Sequence, residues 1–104
     1  MSFLTTSALL DSVVLASLST DDGYGYMITQ KVTKILGVSD STLYPALRRL
    51  SMEGLLEVYD QPENGRNRRY YRMTKTGKKK LASFLEEWKN VKKSLDKLYG
   101  GAKS

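Results

Sequence analysis

From Leu81 to Leu98 the large apolar residues fall at Leu81, Phe84, Trp88, Val91, Leu95 and Leu98, with spacings of 3, 4, 3, 4 and 3. An α-helix puts such a series on one side, and an unbroken seam of this kind needs a facing surface along its whole length. At 1.5 Å per residue the helix runs roughly 30 Å or more, beyond the reach of a core built from the preceding seventy or so residues. The intervening Glu86, Glu87, Lys89, Lys92, Lys93, Asp96 and Lys97 form a solvated face, and Leu85 and Tyr99 supplement the seam. The expectation is a long C-terminal helix whose interface with a second copy of the chain is Leu81, Phe84, Trp88, Val91, Leu95 and Leu98. Gly100 to Ser104 reads as a short frayed tail.

The 104 residues allow one compact domain plus this helix. Thr5 or Thr6 can cap a first helix through Leu9, Leu10, Val13, Val14 and Leu18; Leu15 and Ala16 lie off its main stripe, so it needs cover on two sides. Ser19 to Gly23 is a loop by composition. A second helix runs from Tyr24 or Gly25 to Leu36, with Tyr26, Ile28, Val32, Ile35 and Leu36 available for its buried face, and Gly37 suits the left-handed position past its end. Ser39, Asp40 and Ser41 are successive N-cap candidates for a third helix through Glu53, with Leu43, Leu47 and Leu50 as its buried stripe. Pro45 favours Ser41 as the cap, because the missing N–H then falls at the helix's first backbone bond. Two helices so spaced, with glycine at the turn, make a helix-turn-helix.

The opposite face of the third helix carries Ser41, Tyr44, Pro45 and Arg48, with Arg49 at its border. After Gly54, Leu56 and Val58 alternate with polar neighbours, Asn64-Gly65 signals a tight turn, and a second strand runs from Asn67 to Met73. Arg66 and Asn67 stand at the hairpin tip, with Arg68 and Arg69 on the returning arm. Thr74 caps the last helix. The fold class expected is mainly α with a small β-hairpin: a winged helix-turn-helix over residues 1–74, then a dimerisation helix and tail over residues 75–104.

Charge points to a partner. Lys and Arg number 17 against 11 Asp and Glu, yet none precedes Lys31, while Arg48 to Lys80 holds ten basic residues and four acidic ones. Such a concentrated excess suits a polyanion. Arginine can read guanine bidentately, and hydroxyls such as Ser41, Thr42 and Tyr44 suit phosphates or base edges. The expected double-stranded DNA contacts are therefore Ser41, Thr42, Tyr44, Pro45, Arg48, Arg49, Arg66, Asn67, Arg68 and Arg69. Lys78-Lys79-Lys80 reads as solvated surface, and Tyr70 and Tyr71 as locks between wing and core. With no Cys and no His, structural zinc, disulfides, thiol nucleophiles and histidine acid–base catalysis are excluded. No metal, cofactor or enzymatic activity is expected. The first apolar run, Ala8 to Leu18, contains Asp11, lacks a basic start and is too short to span a bilayer, so a cytoplasmic protein without membrane contact is expected.

Ser41-Thr42-Leu43-Tyr44-Pro45-Ala46-Leu47-Arg48-Arg49-Leu50, followed by Glu53-Gly54-Leu55-Leu56, closely resembles the signature of PadR-type transcriptional regulators. So do Arg68-Arg69-Tyr70-Tyr71-Arg72-Met73-Thr74 with Gly77, and Gly25-Tyr26. The similarity covers most of residues 8 to 99; Tyr24 and Ser41 stand where many members have His and Gly. The resemblance implies a winged helix domain, a C-terminal dimerisation helix in its short form, and repression of a neighbouring operon. It places Ser41, Thr42, Tyr44, Pro45 and Arg48 at the major groove and Arg66 to Arg69 in the wing. It also implies that Trp88, whose pattern alone reads as packing, stacks on planar aromatic small molecules in a dimer pore, as in multidrug-sensing relatives. A ligand-responsive repressor, a constitutive DNA-binding regulator and a winged-helix protein-interaction module are the three functions to separate.

Overall fold

A computed structural model describes residues 6–102. In chain order the elements are α1 (Thr6–Ser17), β1 (Gly23–Tyr24), α2 (Gly25–Leu36), α3 (Asp40–Met52), β2 (Leu56–Glu63), β3 (Arg66–Met73) and α4 (Lys75–Ala102). The cap expected at Thr5 lies outside the described residues. The leucine stripe of α3 is wholly buried, and Leu43, Leu47 and Leu50 meet Val14 and Leu15 of α1 and Ile28 and Val32 of α2. Leu55, Leu56 and Met73 at the base of the hairpin close the same core.

The helix-turn-helix is set by local geometry at its two ends. Gly37 takes the left-handed conformation (φ 69°) and its N–H closes on the Thr33 carbonyl at 2.7 Å. The third helix begins two residues before the expected place. Ser39 is its N-cap, and the Thr42 and Leu43 N–H groups both reach the Ser39 carbonyl. Pro45 thus sits in the second turn, and Ser41 loses its i+4 donor rather than serving as the cap. Both residues are exposed, so water can take the carbonyl. On α2 the buried residues are Ile28, Thr29 and Val32. Tyr26 and Ile35, expected inside, are 58% and 71% exposed.

The hairpin is tighter and longer than the sequence suggested. Asn64 (φ 51°) and Gly65 (φ 77°) form a two-residue turn with both centres left-handed, which matches the natural twist of the strands and fixes Glu63 opposite Arg66. Pro62 is accommodated because β2 is an edge strand in the sheet order β1-β3-β2. Of the two residues of β1, Gly23 was expected as loop and Tyr24 as a possible start of the second helix. The strand pairs Gly23 with Tyr71 and Tyr24 with Tyr70, so the hairpin becomes a three-stranded sheet anchored to the start of α2.

Helix α4 corrects the seam. Thr74 donates its N–H to the Leu55 carbonyl (3.1 Å), and its hydroxyl donates to the Gly54 carbonyl (2.7 Å) and accepts the Gly77 N–H (3.0 Å). That junction docks the helix start onto the hairpin base, and Leu81 and Phe84 enter the core of their own chain. Val91 is buried too. These three were expected at a dimer interface; they are already covered within one chain. Leu95 is half-buried, while Trp88 and Leu98 are 43% and 68% exposed. The division at residue 74 is a change of element rather than of core. Gly100 and Gly101, expected as tail, continue the helix, which at 28 residues runs about 42 Å in a molecule whose longest extent is 60 Å.

Candidate nucleic-acid interface

The pleat of the sheet sorts the hairpin's arginines. Residues paired across strands share a face. Leu56, Val58, Asp60 and Pro62 therefore lie with Met73, Tyr71, Arg69 and Asn67, and Glu57, Tyr59, Gln61 and Glu63 lie with Arg72, Tyr70, Arg68 and Arg66. Buried Leu56 and Met73 mark the first set as the inner face, towards α3.

On the outer face most of the charge is compensated. Arg72 pairs with Glu57 at 2.8 Å and approaches Asp22 at 3.8 Å, and its guanidinium lies over the Tyr59 ring. Arg68 meets Glu63 at 2.6 Å and lies 4.5 Å from the centre of the Tyr24 ring. Tyr59 stacks on Tyr70, which meets Tyr24 edge-on. The Tyr59 hydroxyl donates to Asp22 at 2.6 Å, and that bond raises its pKa. Arg68, expected to touch DNA, is held in this lattice and also lines the groove between α3 and the sheet. Tyr70, expected as a lock, belongs to the same lattice on the solvent side.

Arg49 is also accounted for. Its two terminal nitrogens donate to the two carboxylate oxygens of Asp11 at 2.9 and 2.6 Å. Those hydrogen bonds are the main reason its pKa is raised. Asp11 is buried on α1, so the bidentate pair turns Arg49 away from the exposed face and ties α1 to α3. Within the chain Arg49, expected at DNA, serves as a helix-helix strut. Asp11 had shown only as an acid interrupting an apolar run.

Ser41, Thr42, Tyr44, Pro45, Arg48, Arg66, Asn67 and Arg69 remain exposed. Arg48, Arg66 and Arg69 make no ion pair among the described residues. Between α3 and the sheet lies a groove of about 660 Å³ lined by Tyr44, Arg48, Ser51 and Met52 on one side and Val58, Arg69 and Tyr71 on the other. Tyr24, Gly25 and Tyr26 at the start of α2, together with Arg68 of the sheet, complete it. Gly25 lets α2 approach Tyr44: a Cβ there would lie 3.1 Å from Tyr44 Cε1. Burial raises the pKa of Tyr71, and the cations Arg69 and Arg48 oppose that rise. Both guanidiniums therefore act on one point of the groove.

A second groove, of about 580 Å³, lies away from this surface. Leu9, Val13 and Ala16 of α1, Val32 and Ile35 of α2, and Leu85 and Trp88 of α4 line it. It is the second side of α1 that the sequence left uncovered. Among the described residues there is no cluster of side chains fit to hold a metal, and no helix is long and apolar enough to cross a membrane.

A helix-turn-helix followed by a basic hairpin and a long terminal helix defines a winged-helix transcriptional regulator. Residues 14–83 match the transcriptional regulator PadR-like family, and the chain belongs to that family. The crystal structure of smu.1704 from Streptococcus mutans is 36% identical, with a TM-score of 0.87 over 100% of this chain and 98% of that one. The transcriptional regulator Rv3488 of Mycobacterium tuberculosis is 32% identical over 89 residues, 85% of this chain and 80% of its own length. Bacillus subtilis PadR, solved in complex with operator DNA, is 27% identical with a TM-score of 0.67, covering 74% of this chain and 46% of that one.

Proposed function

We propose that this chain is a homodimeric repressor that binds a specific double-stranded DNA site in the cytoplasm and is released by a planar aromatic ligand held beside Trp88. The observation that carries the DNA reading is the common groove: the exposed face of α3 and the inner face of the hairpin meet there, bringing Arg48 and Arg69 together without a carboxylate partner. The operator complex of Bacillus subtilis PadR supports it. In this reading Ser41, Thr42 and Pro45 at the start of α3 meet base edges, and Arg66 and Asn67 at the tip meet the backbone.

The ligand reading rests on the apolar groove and Trp88 beside it. A large flat indole, 43% exposed, in a concave apolar wall suits a planar aromatic guest. Two such grooves brought together at a dimer axis would enclose it. The test is a labelled duplex from upstream of the chain's own gene against a random duplex of equal length. The native site should bind at least about a thousandfold more tightly. Adding a planar aromatic dye should quench Trp88 fluorescence and release the duplex over the same concentration range. Equal affinity for both duplexes would remove the operator reading, and release without quenching would remove Trp88.

A further inference from the structure

We infer that the groove between α3 and the hairpin is the seat of one backbone phosphate of the duplex, clamped by Arg48 from the helix side and Arg69 from the sheet side. The inference rests on the DNA-binding reading above and deepens it by separating the arginine that fixes register from the residues that read sequence.

Three observations lead to it. First, this fold neutralises arginines wherever it keeps them for structure: Arg49 has Asp11, Arg68 has Glu63 and Arg72 has Glu57. Arg48, Arg68 and Arg69 all line one groove; Glu63 holds Arg68 there, while Arg48 and Arg69 have no such partner among the described residues. The hairpin carboxylate on their face, Asp60, stands opposite Arg69 in register but is exposed and forms no ion pair with it. Two like charges sharing a concave site raise its potential, and an anion relieves the repulsion.

Second, the chemistry of the walls is that of a phosphate site. Two guanidiniums offer planar forks that match tetrahedral oxygens. Tyr44 and Ser51 add hydroxyls to the same groove. The first residues of α2 form its end wall, and Tyr24 gives that helix no side-chain cap, so its leading N–H groups have no side-chain acceptor.

Third, Arg48 lies on the same stripe as Ser41 but about 10 Å further along α3, away from the N-terminal end that meets base edges in this class of motif. It shares the groove wall with Tyr44, Ser51 and Met52, the i, i+4, i+7 and i+8 positions that look across to the wing. Bases lie at the floor of the major groove, and the start of α3, with Ser41, Thr42 and Pro45 exposed, is placed for them. The clamp thus sets how far α3 enters without carrying sequence information.

The test uses full-length Arg48→Ala, Arg69→Ala and the double variant, each with its thermal midpoint checked, on preferred and random duplexes across a salt series. The expected result is about tenfold or greater loss for each single variant, equal on the two duplexes. The double variant should flatten the log–log salt slope by about 0.9 per protomer, the signature of one shared phosphate. Arg48→Lys should keep most of the slope. A selective loss on the preferred duplex would assign Arg48 to base reading and overturn the clamp. So would unchanged binding, or a double variant that flattens the slope by about two per protomer, which means separate phosphates. A wild-type protein without salt-dependent binding would instead remove the DNA reading itself.

Discussion

Gly77→Ala is expected to destabilise the protein by about 3 kcal/mol, near the upper end of overpacking effects, although alanine is the better helix former. A Cβ at Gly77 would run into the Leu55 carbonyl oxygen and lie 2.8 Å from Met73 Cγ. The methionine side chain can turn aside. The carbonyl cannot, because it accepts the Thr74 N–H that starts α4 and belongs to a buried residue. The added methyl must therefore lift the helix from the hairpin base, loosening Leu81 and Phe84 together. A drop in thermal midpoint of more than about 10 °C is expected. Gly100→Ala in the same helix meets nothing within 4 Å and should stabilise by up to about 1 kcal/mol. If both substitutions shift the midpoint alike, the junction is not as tight as described.

Leu95→Lys combined with Leu98→Lys is expected to leave a folded monomer and to cut affinity for duplex DNA by more than about a hundredfold. Neither residue belongs to the buried core: Leu95 is half-buried and Leu98 is exposed. Leu98 and Tyr99 are each 68% exposed, on the same helix as Trp88 and Leu85. An apolar strip of that kind in water marks a contact with another molecule. The unmodified chain should scatter light as twice its 11.7 kDa mass at micromolar concentration. The added lysines carry positive charge, which by itself favours DNA. A fall in affinity would therefore report the lost second half-site, whose avidity typically contributes a factor of 10² or more. A monomeric wild type, or a double variant that binds as tightly as wild type, would remove the dimer.

What the sequence disclosed follows the range of each interaction. The stripe of Leu43, Leu47 and Leu50 repeats within one helix, and Asn64-Gly65 is a two-residue signal, so both could be read directly. The seam was read as a continuous partner surface because spacing records only which side is apolar. Whether Leu81 and Phe84 face their own chain depends on how Thr74 and Gly77 dock α4 onto Leu55. Likewise, alternation along β3 separates Arg68 from Arg69, but the capture of Arg68 by Glu63 needs the strand register. Arg49 and Asp11 lie 38 positions apart, with no local pattern linking them. The strand at Gly23–Tyr24 is too short to show a period, and Pro45 drew the predicted cap two residues too far.

The salt dependence of wild-type binding to a duplex carrying its preferred site tests the central claim most directly. If a dimer neutralises about six phosphates, the logarithm of the affinity should fall against the logarithm of salt with a slope near −5. Affinity would then fall about a thousandfold between 50 and 200 mM salt. A slope near zero, with the protein folded and dimeric, would mean that Arg48, Arg66 and Arg69 face something other than a nucleic acid backbone.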